Sequence, residues 1–225
     1  MKDERTQFQV DRIAFFSDAV IAIAITLMIL EIKIPPLGRK TTLAQLPEHF
    51  GAHTMMMLVG MLVCFLFIGN LWIRHHDLYR HVHNYNHKLV RTNLYFLLMV
   101  MLMPLSTSFA MEEDNPAFVA QPVFFINLGL CYLVYLWQLR IIFNPRNRFA
   151  ELDERRVRDM RWGVIVPAAM LLLMAVLSFL GEYRLFWAFL AVPVINFARK
   201  KWGRRFKIQA AQPRAVLKRS RWARD

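Results

Sequence analysis

The sequence predicts an all-α membrane protein with six transmembrane helices in one chain and both termini in the cytoplasm. Three observations predict it. Hydrophobic residues make up 56% of the 225 residues and charged ones only 20%, a balance outside that of ordinary water-soluble domains. The apolar residues gather into runs near 13–34, 52–73, 90–111, 117–139, 162–181 and 184–199. The basic residues between those runs fall mostly on alternate sides.

A hydrocarbon core about 30 Å thick takes roughly 20 residues of helix at about 1.5 Å each, and the first five runs reach that length. Residues 1–12 are polar, and the first helix then runs to Pro35 and Pro36, which cannot continue it. That run is too long for a signal peptide and has no small-residue cleavage site, so the sequence predicts that it stays in the mature protein. The loop from Pro36 to Phe50 is long enough for a small outer structure. Glu112, Glu113 and Asp114 make the third loop an acidic turn, read as solvated in preference to concentrating cations outside. Gly181 to Arg184 joins the last two runs so closely that they must be antiparallel neighbours. The sixth run is short, with its apolar core from Leu185 to Ala198, and needs Arg184 and Arg199 to snorkel outward or the bilayer to thin. Pro104, Pro122, Pro167 and Pro193 lie inside runs, where local kinks are expected.

The net charge of +13 invites a nucleic-acid partner, and the placement of the 29 Lys and Arg residues argues against one. Lys2, Arg5 and Arg12 precede the first run. Arg74, Arg80, Lys88 and Arg91 fill the second loop, and seven arginines from Arg140 to Arg161 fill the fourth. Eleven more follow from Arg199 onward, whereas the third loop has none and the fifth only Arg184. Such sidedness is the positive-inside pattern of a multi-pass membrane protein with both ends inside and an even number of spans. Residues 1–202 are thus read as the transmembrane domain and 203–225 as a basic cytoplasmic tail. With Trp202, Phe206 and Trp222 interleaved, that tail is expected on anionic lipid headgroups.

Cys64 and Cys131 stand in separate runs as small apolar side chains, without disulfide or metal spacing. Five histidines, His75, His76, His81, His83 and His87, cluster around the second loop. They read as a solvated loop with one or two packed side chains, because no cysteine or carboxylate cluster completes a metal site. No cofactor is expected.

Asp18 is costly inside a membrane segment unless it is paired or hydrated. It ends the pattern Arg12, three residues, Phe16, Ser17, Asp18, which is followed by a run of alternating alanine and branched aliphatic residues into Thr26, Leu27 and Leu30. The pattern resembles the first helix of the transmembrane-protein-175 family of potassium channels. A second block, Leu71 to His76 with Trp72, His75 and His76, and a third, Asn93 through Pro104, Ser106 and Thr107, resemble the same family. Beyond Thr107 only the number of spans agrees. The resemblance implies a homotetramer of the single-repeat prokaryotic type, in a cell membrane, with the first helix lining a central pore for potassium ions. It also implies that Ile23 forms the narrowest ring.

Val20, Ile23, Leu27, Leu30 and Ile34 step by three and four residues and share one helix face, with Ala19, Ala22 and Thr26 beside it. Periodicity alone serves packing on lipid or protein as well as it serves a pore, since nearly the whole helix is apolar; the resemblance favours the pore. No loop like Thr-Val-Gly-Tyr-Gly occurs, so stacked hydrophobic rings would act as both filter and gate. An ion crossing them loses water without gaining ligands, a smaller loss for potassium than for sodium. Asp18 lies about 500° around the helix from Ile23 and so off that face. It and Ser17 are expected to bond to helices two and three, with Trp72, His75, His76 and Asn93 as candidates.

A proton-coupled or metal-cation secondary transporter is the competing class. It lacks support, because the runs hold only Asp18 and Glu31 as acidic residues and both lie near helix ends. No paired carboxylates, Ser–Lys or His–Glu spacing at membrane depth points to an enzyme.

Overall fold

The computed structural model describes residues 2–32, 46–112, 114–147, 149–150 and 152–179. All belong to one compact unit, Met1–Leu185. The elements are helical: α1 (Lys2–Leu27) with a 3-10 turn at Met28–Glu31, α2 (Leu46–Tyr79), α3 (His87–Met101), α4 (Met103–Met111), α5 (Ala117–Ile142) and α6 (Glu154–Ser178). Five stretches are long and apolar enough to cross a membrane: Thr6–Leu30, Met57–Tyr79, His87–Met111, Ala117–Ile142 and Glu154–Ser178. The expected sixth span at 184–199, with Pro193, and the tail at 203–225 lie outside the described residues.

Several boundaries differ from the sequence reading, and each difference has a local cause. α1 begins at Lys2 rather than near 13. An apolar run marks what the membrane covers, whereas the helix continues into the polar segment because no proline or glycine stops it. α2 likewise runs past 73 to Tyr79, so Arg74, His75 and His76 stand on a helix and not in the second loop. At its other end α2 starts before 52, and Gly51 at φ 52° kinks it, a conformation that glycine adopts without a side-chain penalty. The third span starts at His87, where the Asn86 side chain accepts from the Leu89 N–H at 3.0 Å. It breaks at Leu102, just ahead of Pro104, into α3 and α4. The kinks expected at Pro122 and Pro167 do not divide α5 or α6, which run continuously through both prolines. α6 begins at Glu154, eight residues before the apolar run near 162.

α5 is the most enclosed element, packing against α3, α4 and α6 with Phe124, Phe125, Leu128, Cys131, Tyr135 and Leu139 buried. α6 lies along α5 at Gly129, where a Cβ would stand 3.3 Å from Leu172 Cδ2. The small residue lets two backbones approach closely, which in lipid matters more than hydrophobicity because the surroundings are themselves apolar. The α2–α3 and α5–α6 connections lie at one end of the bundle, where the His83 N–H donates to the Phe149 carbonyl at 2.8 Å. α1 packs on α2 and α3, and in part on α4.

Candidate functional site

Seen down its axis, α1 has two unlike sides. Val10, Ser17, Ile21, Ala24 and Met28 are buried against the rest of the chain. The opposite side carries Ile23, 56% exposed, Leu27, 41%, and Leu30, 74%. Ala19, Ala22 and Thr26 are exposed with them, and Val20 is half-buried. Steps of three and four residues at about 100° each account for this division as far as Leu27. Beyond it the 3-10 turn advances about 120° per residue, which brings Leu30 directly above Leu27. Thr26 Oγ1 donates back to the Ile23 carbonyl at 2.9 Å, so that hydroxyl is satisfied within its own helix. Ile34 lies outside the described residues.

The buried side of α1 meets a polar cluster. Ser17 Oγ donates to the Ile13 carbonyl at 2.8 Å and accepts from Asn93 Nδ2 of α3 at 2.8 Å. Asn93 Oδ1 faces His75 Nε2 of α2 at 2.8 Å and accepts from Gln138 Nε2 of α5 at 3.1 Å. The His75 ring is buried between Tyr79, with centroids 4.4 Å apart, and Phe96, at 5.2 Å. One residue along α1, Asp18 Oδ1 accepts from Trp72 Nε1 at 2.8 Å, which gives the carboxyl the partner its depth requires. Four helices therefore share a single constellation: Ser17 and Asp18 from α1, Trp72 and His75 from α2, Asn93 from α3, Gln138 from α5. The other sequence candidates stand outside it. Arg12 and Phe16 are exposed, and His76 is exposed with its ring tilted against Trp72 at 5.8 Å.

Further polar links at membrane depth escaped the sequence reading. Gln138 and Asn127 are uncharged polar residues inside an otherwise apolar run, and that interruption is the signal that finds them. Asn127 Nδ2 donates to Ser106 Oγ at 2.9 Å, joining α5 to α4 just after the break. Thr107 Oγ1 donates to the Met103 carbonyl at 2.7 Å and receives Cys64 Sγ at 3.1 Å. Tyr135 Oη donates to the Arg74 carbonyl at 2.7 Å, while Arg74 Nε donates to Asn70 Oδ1 at 2.9 Å.

The family described as the endosomal/lysosomal potassium channel TMEM175 matches residues 12–104, a stretch that takes in α1 from Arg12 onward, α2 and α3. A potassium channel of Streptomyces collinus is 30% identical over 201 residues, covering 81% of this chain and 93% of its own. A second, of a Chryseobacterium species, is 31% identical over 119 residues, covering 53% of this chain and 56% of its own. Among solved structures, a lysosomal potassium-selective channel TMEM175 homolog from Chamaesiphon minutus superposes with a TM-score of 0.71 at 25% identity. That likeness covers 85% of this chain and 97% of the other. With nearly the full length of the Streptomyces protein matched and the same arrangement of helices, this chain belongs to the TMEM175 family of potassium channels.

Proposed function

We propose that four copies of this chain surround a potassium path lined by the exposed side of α1, with Ile23, Leu27 and Leu30 as successive constricting rings. One observation carries the reading. The subunit buries Ile21, Ala24 and Met28 of α1 but leaves Ile23, Leu27 and Leu30 uncovered. Repeated about a fourfold axis, that side supplies stacked apolar rings without oxygen ligands, and Thr26 adds none, its hydroxyl being turned to a carbonyl of its own helix. A cation crossing Ile23 gives up part of its hydration shell uncompensated. Potassium holds its water less tightly than sodium and crosses at lower cost. The same rings close the path when water leaves them.

Ser17, Asp18, Trp72, His75 and Asn93 hold α1 at the depth and rotation that aim Ile23 at the axis. Arg12 and Phe16 extend that motif toward the cytoplasm, and His76 braces Trp72. Both termini face the cytoplasm of a cell membrane, and the basic tail rests on anionic headgroups. Single-channel recording in planar bilayers tests the assignment: Ile23→Asn should lower the potassium-over-sodium permeability ratio. An unchanged ratio would place the filter elsewhere.

A further inference from the structure

Gln138 is fully buried in α5, and its amide is only half used. Nε2 donates to Asn93 Oδ1 at 3.1 Å, while Oε1 has no hydrogen-bond partner among the described residues. An amide oxygen left without a donor in an apolar interior is unfavourable, and its retention calls for a reason.

The reason lies in what the amide does to Asn93. An asparagine side chain offers an acceptor on one side and two N–H donors on the other, so reversing it exchanges what its neighbours receive. In this cluster the oxygen faces Gln138 Nε2 and His75 Nε2, and the nitrogen faces Ser17 Oγ. His75 does not settle that direction by itself, because its Nε2 donates in one tautomer and accepts in the other. The Gln138 NH2 group only donates. With a Gln138 N–H on the Asn93 oxygen, the Asn93 amide stands with its nitrogen toward Ser17. That direction is the observed one. It makes His75 Nε2 a donor, gives Ser17 an N–H to accept, and leaves the Ser17 hydroxyl hydrogen for the Ile13 carbonyl at 2.8 Å.

We infer that Gln138 is a positioning residue of the channel: its amide orients the Asn93 amide and, through Ser17, seats the pore helix. The inference rests on the reading that α1 lines the ion path. It extends the seating of α1 beyond the segment matched by the family model, to a helix that does not touch the path in the proposed arrangement.

Potassium flux into liposomes, measured for Gln138→Met, Ser17→Ala and the double variant, tests it. Methionine keeps the volume and removes the donor. Gln138→Met should lower flux roughly fivefold, the factor that goes with one neutral hydrogen bond. In the Ser17→Ala background it should add nothing further, because the message to α1 is already cut. Wild-type flux in Gln138→Met overturns the inference, and so does an equal loss in both backgrounds, which marks a general packing defect. Wild-type flux in Ser17→Ala overturns the seating role of the cluster as well, whereas an unchanged permeability ratio in Ile23→Asn bears on the pore reading alone. Should Gln138→Met fail to elute as the unaltered protein does, nitrogen-15 spectra of His75 in the unaltered chain decide. A protonated Nε2 is required, and a bare Nε2 overturns the assignment.

Discussion

Asp18 and Trp72 show how narrow a single requirement can be. Asp18 Oδ1 is the acceptor for the indole N–H at 2.8 Å, so what the position needs is an oxygen at that point. Asp18→Asn keeps one and should assemble and conduct nearly as the unaltered chain does, whereas Asp18→Ala removes it and should abolish assembly or current. Size-exclusion profiles followed by bilayer recording separate the two. Trp72→Phe removes the donor and leaves Asp18 in place. Because the acceptor is a carboxyl at membrane depth that then loses its partner, the stability lost should be about 1.5–3 kcal/mol, read from thermal melts in detergent. Wild-type current in Asp18→Ala would remove any role for the pair in holding α1.

At the scale of elements, large apolar side chains fill the contacts between helices, and a small residue and a few polar links add close approach and direction. Gly129 of α5 is that small residue. A Cβ there meets Leu172 Cδ2 at 3.3 Å, the flexible end of a side chain that is able to give way. Gly129→Ala should therefore be neutral or mildly stabilising, since alanine favours helix over glycine by up to about 1 kcal/mol. Gly129→Leu should destabilise by about 1–3 kcal/mol by forcing α6 off α5. Paired thermal melts give the sign and size of both. Asn127 makes one of the polar links. Asn127→Leu cuts the link from α5 to Ser106 but leaves the Ser106 hydroxyl bonded to the Met103 carbonyl at 3.1 Å, so no orphaned group is created. The cost should stay near 1 kcal/mol. The kink between α3 and α4 was visible as Pro104, but not its location at Leu102.

For the whole molecule, the proposed ion path requires other copies of the chain. Native mass spectrometry from detergent should give about four times 26.6 kDa, and a species of one copy under conditions that preserve flux would remove the central path. Hydropathy and the sidedness of charge determined from the sequence alone that this is a multi-pass helical membrane protein, because transfer into lipid is set by composition over about 20 residues and needs no knowledge of neighbours. The residues of the first-helix pattern were legible for a related reason: a carboxyl and a serine inside an apolar segment stand out by their cost. The candidate partners on helices two and three were legible too, but not which of them each residue takes. That Asp18 takes the Trp72 indole, that Asn93 reaches Ser17, that Gln138 enters the cluster from a helix 45 residues further along, and that His75 is buried on a helix rather than solvated in a loop were decided by tertiary structure. A hydrogen bond depends on distances between side chains far apart in sequence, and those exist only once the helices have packed. Which side of α1 remains uncovered was decided in the same way, since on a helix apolar nearly all round composition marks no side, and only the neighbours that bury one leave the other free.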